Sequence, residues 1–197
     1  MLKSPLILPK GEFLAYLYDC DGTLADTMVA HVEAWVQECQ VHGVSLDGNL
    51  IHELAGMPGT ATVEEINRRY ASSLHPSEIA QAKEDRFYQN FLHRIQPISE
   101  VVETLIAASN RGIRIGVVSG GRTRVVHETL KILGIEKRVE VVICAEDVKL
   151  GKPHPEPFLL AAELLGVSPE RCLVFEDADL GIEAAKRAGM QWVRVFI

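Results

Sequence analysis

The chain has 197 residues, of which 47% are hydrophobic and 24% are charged, and its net charge is −7 at pH 7. This composition is typical of a globular protein, and the length allows a sizeable core with a second small domain. The acidic balance and the lack of a Lys/Arg-rich run argue against nucleic acid as a partner.

The four cysteines and the first residues favour a cytoplasmic protein. Cys20, Cys39, Cys144 and Cys172 lie far apart in the sequence and form no CxxC or Cys/His ligand spacing. This pattern favours reduced, buried thiols over disulfides or a zinc site. The first apolar patch is too short and too poor in small residues for a secretory signal, and no later run is long enough to span a membrane. We therefore expect no membrane partner.

Five short apolar runs predict β-strands that are buried on both faces. In chain order they are residues 13–18, 113–119, 139–145, 172–177 and 192–196. Helical patterns separate the later runs, and each pattern stops at a glycine, a typical C-terminal signal. Such alternation predicts right-handed βαβ units. The expected fold class is α/β, with a Rossmann-like, doubly wound parallel sheet.

One long interval interrupts this alternation. Residues 28–96 contain no convincing strand, and their apolar spacing predicts several helices. A crossover between parallel strands needs about a dozen residues, and this interval is several times longer. We interpret it as an inserted α-helical cap domain, residues 28–96, within an α/β core domain formed by residues 1–27 and 97–197.

Polar side chains follow four of the five predicted strands. Ligands of open parallel sheets bind at the carboxyl ends of the strands, so we expect these side chains to lie close together. They are Asp19, Asp21, Ser119, Lys152, Glu176 and Asp177. Several carboxylates repel each other unless a cation lies among them, and oxygen-only ligands favour a hard ion such as Mg²⁺. A lysine and a serine hydroxyl at the same edge suit a phosphate group.

The two aspartates after the first strand suit different roles in phosphate chemistry. Aspartate carboxylates form aspartyl-phosphate intermediates, so Asp19 is a candidate nucleophile. Asp21 is a candidate to donate a proton to the leaving group and later to take one from water. An ordinary Asp-Gly turn is the alternative, and the matching residues after three other strands argue against it.

Four segments resemble the signature motifs of the haloacid dehalogenase superfamily, in order and at suitable separations. They are DCDGTLADT, VVSGG, GKPHPEPF and VFEDADLGIEAAKRAGM, and the resemblance covers nearly the whole chain. It implies a phosphoric monoester hydrolase with a cap after the first motif. It also implies Mg²⁺ bound by the Asp19 carboxylate, the Asp21 backbone carbonyl and Asp177, with Glu176 a less secure ligand.

The resemblance also implies the catalytic roles. Asp19 would be the nucleophile and Asp21 the general acid/base. Ser119 would bind the transferring phosphoryl group, and Lys152 would neutralise the nucleophile and the phosphate. Crowding of carboxylates would also explain an Asp21 that stays protonated as a donor.

The resemblance is strongest to the branch of β-phosphoglucomutases and fructose-1-phosphate phosphatase-like sugar phosphatases. The segment TMVAHVEAW resembles a mutase cap helix whose His and Trp face the active site, although Trp35 also fits the core of the cap. The predicted substrate-binding residues are Thr27, His31, Lys83, Gly120 and Arg122. For His31 and Arg122 an ordinary surface or packing role is the alternative.

Two departures from the mutase pattern favour a phosphatase. The mutase cap loop carries a Lys and an Arg around a Gly, whereas Ala55 and Gly59 occupy these positions here. A second phosphate would lose charge-assisted contacts worth about 1.5–3 kcal/mol each. We expect a Mg²⁺-dependent phosphatase of a small sugar phosphate, acting as a monomer or weak homodimer. A sugar phosphomutase and a catalytically silent binding protein are the alternatives.

Overall fold

The computed structural model describes residues 6–196. The strands are β1 (Ala15–Tyr18), β2 (Ala25–Asp26), β3 (Gln96–Pro97), β4 (Arg114–Val118), β5 (Val141–Ile143), β6 (Cys172–Glu176) and β7 (Gln191–Arg194). The helices are α1 (Met28–Val41), α2 (Gly48–Glu53), α3 (Gly59–Tyr70), α4 (Pro76–Asn90), α5 (Ser99–Asn110), α6 (Thr123–Ile132), α7 (Glu156–Leu165) and α8 (Asp179–Arg187).

Five strands form one parallel sheet in the order β5-β4-β1-β6-β7. They correspond to the five predicted strands, and the predicted α/β fold class is confirmed. The strand expected at residues 139–145 is limited to β5, because 3₁₀ turns at Glu136–Arg138 and Ala145–Asp147 interrupt the extended backbone on either side. The central position of β1, between β4 and β6, places its carboxyl end at the crevice where ligands of open sheets bind.

The central strand is buried on both faces of the sheet. Tyr16 and Tyr18 pack in one hydrophobic cluster with side chains of α5 and α6, and Tyr18 stacks on Phe175 with ring centroids 4.4 Å apart. Ala15 and Leu17 point to the opposite face and pack with side chains of α7 and α8. Successive side chains of a strand alternate between faces, so a strand covered by helices on both sides has no polar position.

The predicted helix ends at glycines are also present. Helix α7 ends at Leu165, and the next residue, Gly166, has φ 63° and closes the helix with its N–H bonded to Glu163. A side chain at that left-handed position would strain the backbone, so glycine is favoured there.

The chain between β2 and β3 contains the helices α1 to α4, and we refer to this segment as the cap. Its four helices enclose a separate hydrophobic cluster that includes Trp35, Ile66 and Ile79. The short antiparallel pair β2–β3 was not predicted. It pairs the two segments that connect the cap to the core. A further cluster packs Phe87 of the cap against Val125 of the core. Across the described residues, no helix is long and apolar enough to cross a membrane.

The loop between α2 and α3 lies directly on the carboxyl edge of the sheet. A Cβ atom built on Gly120 would lie 2.6 Å from the carbonyl oxygen of Gly56, and one built on Gly151 would lie 2.2 Å from Cγ of Pro58. These contacts leave no room for a side chain at either glycine. The cap is therefore closed over the edge where the polar residues that follow the strands lie.

Because β1 is buried on both faces, truncating one of its side chains should lower the free energy of unfolding. Leu17→Ala should lower the free energy of unfolding by about 2–5 kcal/mol, because Leu17 is completely buried and the truncation leaves a cavity. The matched control Leu164→Ala, at a side chain 57% exposed, should change it by less than about 0.5 kcal/mol. Urea denaturation of the three proteins measures both values, and equal losses would contradict this account of the core.

Candidate active site

Lys152 connects the ends of the three central strands. Its ammonium group donates to Oδ1 of Asp19 (2.6 Å), to Oε2 of Glu176 (2.7 Å) and to the carbonyl oxygen of Val118 (3.0 Å). All three N–H donors of the lysine are therefore used. Lys152 and both carboxylates are buried. Removing one partner of such a buried ion pair leaves an uncompensated charge, which is strongly destabilising.

Asp177, together with Asp19 and Glu176, forms what we call the acidic group. Its Oδ1 accepts a hydrogen bond from Thr23 (2.9 Å), so the loop after β1 is tied to the end of β6. The close approach requires Gly22, which has φ 86° and at which a Cβ would lie 2.3 Å from Oδ2 of Asp177. Gly22 is therefore needed for two reasons: it adopts the positive φ of the turn, and it leaves room for the Asp177 carboxylate.

Asp19, Glu176 and Asp177 form a candidate metal site. Each offers a carboxylate oxygen, and these oxygens lie within 4.8 Å of one another. Burial, followed by repulsion from Glu176, raises the pKa of Asp19 well above its usual range, and the same two causes raise the pKa of Asp177 to about 7. Burial alone would lower the pKa of Lys152, but Asp19 and Glu176 raise it, so Lys152 stays charged.

The charges of this group do not balance without a further cation. Three carboxylates and one ammonium leave two negative charges when all four groups are ionised. The donors are oxygen atoms alone, which suits a hard divalent ion. The residues present therefore fit the predicted metal, because their oxygen donors favour a hard divalent ion.

Asp21 is held by residues at the start of the cap. Its Oδ1 accepts from the hydroxyl of Thr27 (2.8 Å) and contacts Nε2 of His31 (2.9 Å). Burial would raise the pKa of Asp21, but attraction to His31 and the hydrogen bonds from His31 and Thr27 outweigh it and lower the pKa to about 2. The expectation that crowding keeps Asp21 protonated is wrong for this closed arrangement, because its nearest partners are donors rather than the other carboxylates.

Lys83 fixes the orientation of His31. Its ammonium lies 2.7 Å from Nδ1 of His31, and because lysine has no acceptor, Nδ1 must accept and Nε2 must carry the proton donated to Asp21. The imidazole also stacks on Phe87, with centroids 3.9 Å apart and planes 5° apart. These contacts join α1 and α4 to the loop after β1.

Ser119 occupies the end of β4 beside the same cavity. Its hydroxyl accepts from the N–H of Gly121 (3.0 Å), which leaves its own proton for a ligand. A Cβ built on Gly121 would lie 3.2 Å from Oγ of Ser119 and 3.6 Å from Oδ2 of Asp21. Oγ of Ser119 and Oδ2 of Asp21 therefore both lie beside Gly121.

The structure brings nearly all of the predicted site residues together. A cavity of about 80 Å³ between cap and core is lined by Asp19, Asp21, Met28, His31, Trp35, Ile51, Leu54, Ala55, Gly56, Met57, Gly59, Thr62, Lys83, Glu84, Ser119, Gly120 and Gly121. Besides Arg122, four predicted residues are not part of this lining. Thr27 bonds to Asp21 and Lys152 bonds to Asp19. The carboxylate oxygens of Glu176 and Asp177 lie within 4.8 Å of one on Asp19. Trp35 belongs both to the cap core and to the cavity wall.

Arg122 is the predicted site residue that the structure does not bring to the cavity. Its guanidinium is partly exposed and bonds to Glu146 of the core (3.2 Å) and to Gln81 of the cap. Two residues of the site were missed by the sequence analysis. Thr23, within the first motif, binds Asp177, and Glu84, the neighbour of Lys83, lines the cavity.

Comparison with known proteins agrees with this geometry. The model of the haloacid dehalogenase-like hydrolase family matches residues 16–195. The chain belongs to the haloacid dehalogenase-like hydrolases. The predicted family and enzyme class, a phosphoric monoester hydrolase of this superfamily, are therefore confirmed.

Individual members of the family resemble the chain over most of its length. It is 32% identical to a fructose-1-phosphate phosphatase of Escherichia coli over 93% of this chain and 97% of the relative. It is 29% identical to the β-phosphoglucomutase of Bacillus subtilis, over 89% and 80%. The crystal structure of a β-phosphoglucomutase from Clostridium difficile aligns with TM-score 0.79 at 28% identity, over 91% and 83%.

The raised pKa of Asp177 predicts how stability depends on pH when divalent ions are removed. The folded protein binds this proton more tightly than the unfolded chain, because the folded-state pKa is about 7 and the ordinary value is 3.8. Asp177 therefore contributes stability at low pH that is lost as the pH rises from about 4 to about 7.

The measurement is the difference in unfolding free energy between the natural protein and Asp177→Asn, by urea denaturation with a chelator at several pH values. The variant does not titrate at this position, so the difference isolates Asp177. It should fall as the pH rises. Parallel curves for the two proteins would show that Asp177 is not perturbed.

Proposed function

We propose that the chain is a Mg²⁺-dependent phosphatase that hydrolyses a small sugar phosphate, of hexose-phosphate type, through an aspartyl-phosphate on Asp19. One observation carries this proposal: Asp19 and Ser119 line one cavity, Lys152 bonds to Asp19, and the acidic group beside them has two uncompensated negative charges when it is fully ionised. The relatives named as sugar phosphatases support the substrate class. We propose that it acts in the cytoplasm as a monomer or weak homodimer.

The Mg²⁺ ion would be held by the carboxylates of Asp19 and Asp177 and by the backbone carbonyl of Asp21. Glu176 is less suited as a direct ligand, because its Oε2 is bound by Lys152 and its Oε1 accepts from the N–H of Ala178. When bound, the ion would supply positive charge that balances the acidic group and the incoming phosphate.

The first step would transfer the phosphoryl group to the protein. The Asp19 carboxylate forms a bond to phosphorus while the bond from phosphorus to the sugar oxygen breaks. Lys152 holds Oδ1 of Asp19, and the Ser119 hydroxyl donates to an oxygen of the phosphoryl group as negative charge redistributes. Lys152 and Ser119 are held by hydrogen bonds to residues at the carboxyl edge of the sheet, so their side chains need little rearrangement during the reaction.

Asp21 would move the protons in both steps. Its Oδ1 is fixed by Thr27 and His31, which leaves Oδ2, the oxygen beside Gly121, for the reacting oxygen. Because its pKa is lowered, Asp21 first takes up a proton, which the P–OH group of a monoanionic phosphate ester supplies, and passes it to the departing sugar oxygen. In the second step it takes a proton from the water that attacks the aspartyl-phosphate. The carboxylate form favoured by the lowered pKa is the form needed for the second step.

The lining of the cavity supports hydrolysis over return of the phosphate to the sugar. Ala55 and Gly59 lie at the cavity, where the mutase pattern has cations, and no arginine is among the lining residues that the structure describes. A bisphosphate intermediate would therefore have no charged group to bind its second phosphate on the cap side apart from Lys83, which already contacts His31 and Glu84.

Substrate entry would require the cap to move. The closed cavity of about 80 Å³ has room for a few small groups at most. We propose that residues 28–96 open as a unit about the paired segments β2 and β3, whose two connections are the only described crossings between cap and core. Closure would bring Thr27, His31 and Lys83 into the contacts that hold Asp21.

Replacement of the nucleophile tests the proposed reaction. Asp19→Asn should lower kcat for hexose phosphates by at least about a thousandfold, because an amide does not attack phosphorus at a useful rate. The natural protein should lose its activity in a chelator and regain it on addition of Mg²⁺. Release of inorganic phosphate measures both effects, and circular dichroism checks the fold of the variant.

Three outcomes would contradict the proposal. Full activity of Asp19→Asn would exclude the aspartyl-phosphate, and activity that a chelator leaves unchanged would exclude the metal. Conversion of β-glucose 1-phosphate into glucose 6-phosphate with little free phosphate, in the presence of a bisphosphate primer, would show a mutase.

The contact of Thr27 with Asp21 predicts a dependence on the leaving group. Thr27→Val keeps the shape of a fully buried side chain but removes a hydrogen bond to a charged acceptor, worth about 1.5–3 kcal/mol. We expect kcat for a hexose phosphate to fall about tenfold or more. Turnover of p-nitrophenyl phosphate, whose leaving group needs little help from a proton donor, should fall much less. Equal losses for both substrates would indicate a structural role for Thr27.

A further inference from the structure

Glu84 has one carboxylate oxygen that the described structure does not use. Its Oε1 accepts from the ammonium of Lys83 (3.0 Å), whereas Oε2 is buried and has no hydrogen-bond partner among the described residues. The side chain is 13% exposed and lines the cavity between cap and core. A buried acceptor without a partner is destabilising, so its retention at the cavity needs an explanation.

The rest of the cap wall offers little polarity besides Glu84. Most of its side chains are apolar, and the Thr62 hydroxyl already donates to the carbonyl oxygen of Pro58 (3.2 Å). Lys83 is the cation of this wall, and its ammonium is committed to His31 and Glu84 and lies 5.3 Å from the centroid of the Trp35 ring. The cap side of the cavity therefore presents an unused acceptor, and the cation of this wall, Lys83, already contacts the carboxylate that carries this acceptor.

We propose that Glu84 is a specificity-determining residue whose Oε2 accepts hydrogen bonds from hydroxyl groups of the leaving group. The enzyme would then select phosphate esters of neutral polyols and reject esters that carry a carboxylate or a second phosphate at that position. The inference rests on the proposed phosphatase function and narrows its substrate class.

The selection follows from the chemistry of a carboxylate. An ionised carboxylate accepts hydrogen bonds but donates none, so a hydroxyl group satisfies Oε2 and a second anion does not. An anionic leaving group would place like charges together in a closed cavity from which water is largely excluded, where repulsion is strong. The phosphate itself is unaffected, because Ser119 and Lys152 bind at the opposite end, on the sheet edge.

Two esters of the same carbon skeleton provide the probe. Glucitol 6-phosphate and 6-phosphogluconate differ at the carbon farthest from the phosphate, which is an alcohol in the first and a carboxylate in the second. For the natural protein with Mg²⁺ we expect kcat/KM to favour glucitol 6-phosphate by at least tenfold. Glu84→Gln keeps an Oε1 acceptor for Lys83 and adds a donor, so it should reduce this ratio at least tenfold, chiefly through KM.

Two controls separate specificity from damage. Asp85→Asn removes the same charge one residue away, at a side chain that is not part of the described cavity lining, and should leave the ratio within about twofold of the natural value. The ratio of kcat/KM for the two esters is compared within each protein, so a loss of catalysis that Glu84→Gln causes for all substrates cancels. An unchanged ratio in a folded Glu84→Gln, or a natural preference for 6-phosphogluconate, would overturn the proposal.

Binding measurements distinguish failure of this inference from failure of the proposed function. Calorimetry with Asp19→Asn gives the ratio of Kd values for the two esters without turnover, and Asp19→Asn with Glu84→Gln gives the comparison. If no ester is hydrolysed by the natural protein but the Kd ratio falls in the double variant, the phosphatase proposal fails and the selectivity of Glu84 stands. If neither ester binds Asp19→Asn and the natural protein hydrolyses neither, both proposals fail.

Discussion

The buried bonds of Lys152 are the interaction on which the rest of the site depends. They tie Asp19 after β1, Val118 at the end of β4 and Glu176 at the end of β6 to one ammonium group. A shift of one residue in the register of these strands would turn the carboxylates to the other face of the sheet. The apolar packing on both faces of β1 therefore determines the chemistry at its carboxyl end as well as stability.

The cap adds a second layer of control over the same edge. Thr27, His31 and Lys83 belong to the cap or to its first connection, and their hydrogen bonds set the charge of Asp21. An open cap would remove those donors and expose Asp21 to water. In the closed arrangement Asp21 therefore contacts these donors at the same cavity that Glu84 lines.

Much of the architecture could be predicted from local patterns. Apolar runs located the five parallel strands, and the interval of helical periodicity located the cap, because both signals arise from burial that recurs every two or every 3.6 residues. The predicted ends of the strands were less accurate. Strand β5 is shorter than its apolar run, because 3₁₀ turns flank it. The β2–β3 pair is two residues long in each strand and leaves no periodic signal.

The sequence by itself determined which chemical groups reach the sheet edge, because every parallel strand delivers the residues that follow it to the same side. The tertiary structure decided what those groups do there. Asp21 is ionised because His31 and Thr27 reach it, Arg122 bridges Gln81 and Glu146 outside the cavity, and Glu84 lines it. Such outcomes depend on distances between residues far apart in the chain, and neither periodicity nor motif spacing encodes those distances.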